Sequence, residues 1–177
     1  VIYMYYGEIK YCDIANGVGV RTSLFVSGCR NHCKGCFQPQ TWDFYFGQPY
    51  TSDIKNQIIE SLKPDYINGL SILGGDPFEV ENIPDVLSLV RAVREEFGFS
   101  KDIWIYTGYI YEKLKTQTQA NAILDTIDIL VDGPFIEEKK DISLPYRGSS
   151  NQRIIQLSNH LTADVSKYIT DKFIKED

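Results

Sequence analysis

Residues 21–36 read RTSLFVSGCRNHCKGC. The first seven, Arg21–Ser27, are β-rich and apolar and predict a buried strand. Just beyond them, Cys29, Cys33 and Cys36 place three of the chain's four cysteines within eight residues. Consecutive residues advance at most about 3.3–3.6 Å, so gaps of three and two can wrap a small inorganic object. Arg30 and Lys34 are expected to stabilise thiolates, the form that ligates metal. Gly28 and Gly35 remove side chains where the backbone must turn tightly or approach a ligand. Three thiolates are one short of the usual four for a cubane iron–sulfur cluster, and an open coordination position separates catalytic from structural metal sites. Spacing alone leaves two other readings open. One is structural zinc on Cys29, Cys33, Cys36 and either His32 or Cys12, although zinc motifs normally come as two paired clusters and no second pair exists here. The other is a set of inert buried thiols.

Outward from this loop, strand and helix periods alternate. Ser52–Leu62 carries Ile54, Ile58, Ile59 and Leu62 at helical spacing, with Thr51 or Ser52 as the N-cap. Gly69–Leu73 predicts a second strand, stopped by Gly74-Gly75-Asp76-Pro77. Ile83–Phe97 has the clearest helical face, with Ile83, Val86, Leu87, Val90 and Val93 together and Gly98 closing it. Asp102–Thr107 is a third strand, Gln117–Leu124 a weaker helix, Ile127–Val131 a fourth strand and Arg153–Leu157 a fifth. Such alternation predicts a mostly parallel α/β sheet. Four or five units are too few for an eight-stranded barrel, which takes about 250 residues, so a partial barrel or an open wound sheet is expected. In either, ligands sit at the carboxyl ends of the strands. The loops after Ser27, Leu73, Thr107 and Val131 all leave from such ends.

The sequence has no repeats or low-complexity linker, so residues 1–177 read as one domain. Residues 158–177, with Val165, Tyr168, Ile169 and Phe173, predict a C-terminal helical extension. His160 reads as a capping or surface residue, and Cys12 as a small buried one. A net charge of −6 argues against nucleic acid, whose phosphates need a basic face. No apolar run approaches the roughly 20 residues that span a bilayer. The N-terminus, where residues 1–3 precede Met4, lacks the basic flank and apolar stretch of a secretory signal. A cytoplasmic, reducing location is therefore expected, in which cysteines serve as ligands or reactive thiols.

A CxxxCxxC loop directly after the first strand resembles that of the radical S-adenosylmethionine enzymes. Gly35-Cys36-Phe37 is similar to the glycine-cysteine-tyrosine of the activating enzymes of anaerobic ribonucleotide reductase within that superfamily. Asn16-Gly17-Val18-Gly19-Val20-Arg21, Thr41-Trp42, Gly47-Gln48-Pro49, Trp104 through Gly108, Val131-Asp132-Gly133 and Gly148-Ser149-Ser150-Asn151-Gln152-Arg153 follow the same pattern in order. Phe37-Gln38 departs from it, standing where tyrosine-asparagine is usual. The resemblance implies an incomplete (βα) barrel shorter than six units. It also implies a [4Fe–4S] cluster held by Cys29, Cys33 and Cys36, with S-adenosylmethionine chelating the fourth iron and Gly35, Cys36 and Phe37 lining its site. Gly74-Gly75-Asp76-Pro77, otherwise an ordinary strand-ending turn, then reads as backbone able to reach the cofactor's methionyl amino group without a Cβ in the way. Asp76 stands where many relatives carry glutamate, and aspartate is typical of the reductase activases.

The implied reaction is reductive cleavage of S-adenosylmethionine to a radical that takes hydrogen from a glycine of anaerobic ribonucleoside-triphosphate reductase. The electron would come from a donor such as flavodoxin or ferredoxin. Two alternatives remain: an activase of another glycyl radical enzyme such as pyruvate formate-lyase, and a non-catalytic zinc-binding interaction module.

Overall fold

The structure, a computed structural model, describes residues 3–175. Its eight strands form one open, mixed sheet in the order β3-β1-β2-β4-β5-β6-β7-β8. These are β1 (Tyr5–Asp13), β2 (Arg21–Val26), β3 (Gln48–Pro49), β4 (Gly69–Gly74), β5 (Asp102–Tyr106), β6 (Ile129–Asp132), β7 (Arg153–Gln156) and β8 (Asp171–Lys172). The central strands β2, β4, β5 and β6 run parallel. Strand β1 pairs antiparallel with β2 and β3, and β7 antiparallel with β6. The α/β expectation holds, with more antiparallel pairing at the flanks than the alternation of periods predicts.

Four α-helices are described: α1 (Ser52–Ser61), α2 (Ile83–Phe97), α3 (Tyr111–Leu114) and α4 (Thr118–Thr126). Helix α1 is capped as its sequence requires, Thr51 Oγ1 accepting from the Ile54 amide at 3.4 Å. Helix α2 buries Ile83, Val86, Leu87, Leu89, Val90 and Val93 on the sheet, and Gly98 ends it at φ +57°, a backbone state that costs glycine nothing. Strand alternation divides the core. Leu24, Leu70, Ile72, Ile103, Ile105 and Leu130 face the helices. Trp104, Ile129, Val131 and Ile154 face the opposite side, where Val165 and partly buried rings cover them.

One deeply buried ion pair secures the amino-terminal edge of the parallel strands. Arg21, from the NGVGVR stretch, is fully buried and pairs with Asp102 at 2.6 Å. It also donates to Ser71 Oγ and to the carbonyls of Val18, Leu70 and Asp102.

The expected C-terminal helix does not form. Residues 158–175 run as turns that end in β8. Their apolar spacing suits a helix, but the open edge of β7 offers unpaired backbone groups. β8 takes them in parallel register, Ile155 opposite Asp171, and the Thr170 amide donates to the Ile154 carbonyl at 3.0 Å. Cys12 is exposed rather than buried. It lies at φ +52° in an irregular part of β1 between Lys10 and Asp13, on a strand that turns most side chains to solvent. His160 sits near the surface with its ring stacked on Phe99 at 3.7 Å.

Candidate functional site

The carboxyl ends of β2, β4, β5 and β6 converge on a cavity of about 610 Å³. Its apolar floor includes Phe25, Leu73, Tyr106 and Val131, one residue from each parallel strand. Phe25 and Leu73 are register partners, as are Tyr106 and Val131. Cys29, Cys33, Cys36, Phe37, Gly74, Gly75 and Asp76 all line this one space. Gly35 does not. It turns the loop at φ +76°, and a Cβ there would meet the Glu137 side chain at 3.0 Å.

The cysteine loop alternates. Cys29, Asn31 and Cys33 line the cavity, and Arg30, His32 and Lys34 lie outside its walls. The expected help from Arg30 and Lys34 to the thiolates is therefore not what the structure provides. Arg30 pairs with the carboxylates of Glu79 and Glu81 and packs over Phe44 at 4.6 Å. Lys34, 82% exposed, reaches Glu137 at 3.6 Å. The physical reason is a carboxylate-rich turn after β4. Glu79 is fully buried and also accepts from the Tyr109 hydroxyl at 2.5 Å, so the nearest cation neutralises it. His32, at φ +43°, stacks on Trp42 with ring centroids 4.4 Å apart.

Asp76 is the junction of the site. It is fully buried and accepts four hydrogen bonds: from the Asn31 amide group at 3.0 Å, the Thr107 hydroxyl at 2.8 Å, and the backbone amides of Gly108 and Phe78 at 2.9 Å each. One carboxylate thus ties the cysteine loop to the end of β5. Burial pushes its pKa up to about 6 despite these donors, and the neighbouring Glu79 adds to the rise.

The two glycines before Asp76 allow close backbone approach. The Gly75 amide donates to the Val26 carbonyl and the Asp76 amide to the Gly28 carbonyl, both at 2.7 Å. A Cβ on Gly74 would lie 2.5 Å from the Val26 oxygen, and one on Gly75 2.6 Å from the Gly28 oxygen. Glycine is demanded here by contact between the GGDP turn and the residues leading into the cysteine loop.

All four cysteines are free. Burial raises the Cys29 thiol to about 11, with the Asp76 and Glu79 carboxylates adding to it, and burial also raises Cys33. Unligated, Cys29 and Cys33 are therefore neutral thiols, and metal binding must displace their protons. Among the described residues no three His, Cys, Asp or Glu side chains are placed to hold a single ion, so the zinc set entertained from spacing is not assembled. Three free thiols lining one cavity of about 610 Å³ fit a group containing several metal atoms, each thiolate binding its own.

Sequence reading missed Asn31, Glu79, Tyr109 and Phe135. Asn31 was legible in principle from its alternation with the cysteines. Phe135, whose ring lies 5.1 Å from Phe37, and Glu79 carry no local signal.

Residues 15–155 match the family described as a 4Fe-4S single cluster domain. The chain is similar to the anaerobic ribonucleoside-triphosphate reductase-activating protein of Escherichia coli (strain K12), 44% identical over 156 residues, which are 87% of this chain and 99% of the relative. The protein of that name from Vibrio cholerae serotype O1 is 45% identical over 153 residues, 85% of this chain and 97% of its own. The one from Enterobacteria phage T4 is 37% identical over 151 residues, 85% and 93% respectively. A shared iron–sulfur domain and such likeness along nearly the whole length of these relatives place the chain: it belongs to the family of anaerobic ribonucleoside-triphosphate reductase-activating proteins.

Proposed function

We propose that this chain is a radical S-adenosylmethionine enzyme that activates an anaerobic ribonucleoside-triphosphate reductase by generating a glycyl radical on it. The observation that carries the reading is the shared cavity: three cysteine thiols face the same space as the Gly74-Gly75-Asp76 turn and the ends of β5 and β6. In this reading the open sheet is a partial (βα) barrel of the radical S-adenosylmethionine type, with fewer than six units, in a single domain.

Cys29, Cys33 and Cys36 hold the cluster. Cys36, Phe37, Gly74, Gly75 and Asp76 shape the S-adenosylmethionine site, and Gly35 contributes through the turn it permits. Held there, a reduced cluster would supply the one electron for reductive cleavage of S-adenosylmethionine to methionine and a 5′-deoxyadenosyl group able to take a hydrogen atom from a glycine of the reductase.

The chain's own residues bind, orient and exclude water. Asp76 is a fixed acceptor, because both carboxylate oxygens are already engaged. It ties the cysteine loop to the end of β5, so the walls that would receive the cofactor are set before it binds. The apolar floor of Phe25, Leu73 and Val131 would exclude water from the bound cofactor. A transferred hydrogen atom carries its own electron, so no side chain is needed as acid or base. The electron comes from a small redox donor such as flavodoxin or ferredoxin, in a reducing cytoplasm.

The test is anaerobic reconstitution with iron and sulfide, then dithionite and S-adenosylmethionine. Methionine and 5′-deoxyadenosine are expected in equal amounts from the wild type and not from Cys33→Ala. No cleavage by a fully loaded, reduced cluster would sink the enzyme reading.

A further inference from the structure

Residues 158–175 lie beyond the part of the chain that matches the iron–sulfur domain family, which ends at 155, yet they are closely integrated. Leu161, Val165, Tyr168 and Ile169 cover Trp104, Ile129, Val131 and Ile154 on the sheet face away from the helices. The segment is fastened at both ends. Near its start, the Thr162 amide and hydroxyl donate to Asp102 Oδ2 at 3.0 and 2.7 Å. Near its close, the Phe173 amide donates to the Gln156 carbonyl at 2.9 Å.

Between these anchors, the Tyr168 ring meets Tyr146 edge-on, with centroids 5.0 Å apart. Tyr146 is in turn 5.6 Å from Trp104, so its ring is held between the strap and the sheet. Its backbone lies at φ +63°. A bulky residue in that region is strained and persists only where its surroundings over-determine it. Tyr146, Arg147 and Gly148 are consecutive residues of the cavity wall. The wall continues as one bonded unit: Arg147 Nη1 donates to the Gln152 carbonyl at 2.7 Å, and the Gly148 amide to Gln152 Oε1 at 2.8 Å.

We propose that residues 158–175 are a strap and that Tyr168 is a positioning residue: its ring holds Tyr146 in the left-handed backbone state and thereby sets the 146–148 wall against which S-adenosylmethionine is bound. The identity of that ligand rests on the function proposed above; the mechanical part of the claim does not.

The experiment compares wild type, Tyr168→Ala, Tyr168→Leu and Tyr168→Phe as cluster-loaded protein. S-adenosylmethionine affinity is measured by equilibrium dialysis, and amide exchange of the 144–152 segment by mass spectrometry. Alanine and leucine should weaken binding about three- to tenfold, the range one aromatic pair contributes. They should also speed exchange in 144–152 while leaving iron content and exchange in α2 unchanged. Phenylalanine, which keeps the ring, should restore both readouts. Wild-type binding and exchange in the alanine and leucine variants would overturn the proposal. So would faster exchange throughout the chain with loss of iron, which would make Tyr168 a general stabiliser. Failure of the wild type itself to bind S-adenosylmethionine would count against the proposed function, and the exchange arm would still decide the strap.

Discussion

The side-chain amide of Asn31 donates to Asp76 Oδ2 across 3.0 Å, joining the middle of the cysteine loop to the turn after β4. Because Asp76 also receives the Thr107 hydroxyl and the Gly108 amide, three loops from three parallel strands share one acceptor. Replacing Asp76 by alanine leaves the buried Thr107 hydroxyl and Phe78 amide without their partner, each costing about 1–3 kcal/mol. Asp76→Ala should therefore lower the unfolding free energy of cluster-free protein by at least about 2 kcal/mol in urea titrations near pH 4. Asn31→Ala, which removes one peripheral donor, should cost about 1 kcal/mol.

The same carboxyl predicts a pH dependence. Its folded pKa of about 6 lies above the ordinary 3.8, so between those values the native state binds more protons than the unfolded chain, and stability falls as pH rises. The stability gap between wild type and Asp76→Ala should be widest near pH 4 and shrink as the pH passes about 6. A gap that widens with pH would show that the group is held as an anion of depressed pKa.

Gly75 separates packing from ligand approach. A Cβ there meets backbone atoms of Gly28, the oxygen at 2.6 Å, one residue before Cys29. Gly75→Val should therefore lower iron content as well as cofactor binding, since backbone cannot move aside as a flexible side chain does. Gly98→Ala is the control: nothing lies within 4 Å of its Cβ, but φ is +57°. It should cost about 1–3 kcal/mol in stability and leave iron content unchanged.

How much of this was legible beforehand depended on whether the signal was local. The periodicity of α2 and the apolar run of β2 announce themselves, because burial of one face or of both is written into consecutive residues. The cysteine spacing and GGDP likewise mark the loops that meet at the cavity. Other features depend on distant parts of the chain. Strand β1 turns most side chains to solvent and has an irregular register, so no alternation shows, and Cys12 was misread as buried. Residues 158–175 carry helical spacing, but the free edge of β7 and the bare sheet face beside Trp104 claim them instead. Arg30 was assigned to the thiolates because Glu79 is 49 residues away in sequence and invisible from the loop.

Arg21, at the end of the Asn16–Arg21 stretch, does structural work. With Asp102 nearly as buried and 2.6 Å away, removing the guanidinium strands a buried carboxylate, which costs about 3–5 kcal/mol. Arg21→Ala should be poorly folded. Arg21→Lys should recover little, because a single ammonium cannot reproduce the planar fork that serves Val18, Leu70 and Ser71 together. Near-wild-type denaturation of Arg21→Lys would contradict this.

The ligand assignment is checked by analysis of anaerobically prepared protein. Cys29→Ala, Cys33→Ala and Cys36→Ala should each lose or deplete the cluster, and Cys12→Ala, altering an exposed strand residue, should keep it. Loss on Cys12→Ala with retention in any one of the other three would reassign the ligands.

The most direct measurement of the central claim is electron paramagnetic resonance on a mixture of this protein, its cognate anaerobic ribonucleoside-triphosphate reductase, reductant and S-adenosylmethionine, prepared without oxygen. The account predicts a glycine-centred radical on the reductase and one 5′-deoxyadenosine released per radical formed. Cofactor cleavage that never yields a radical on the reductase, but yields one on pyruvate formate-lyase, would contradict it.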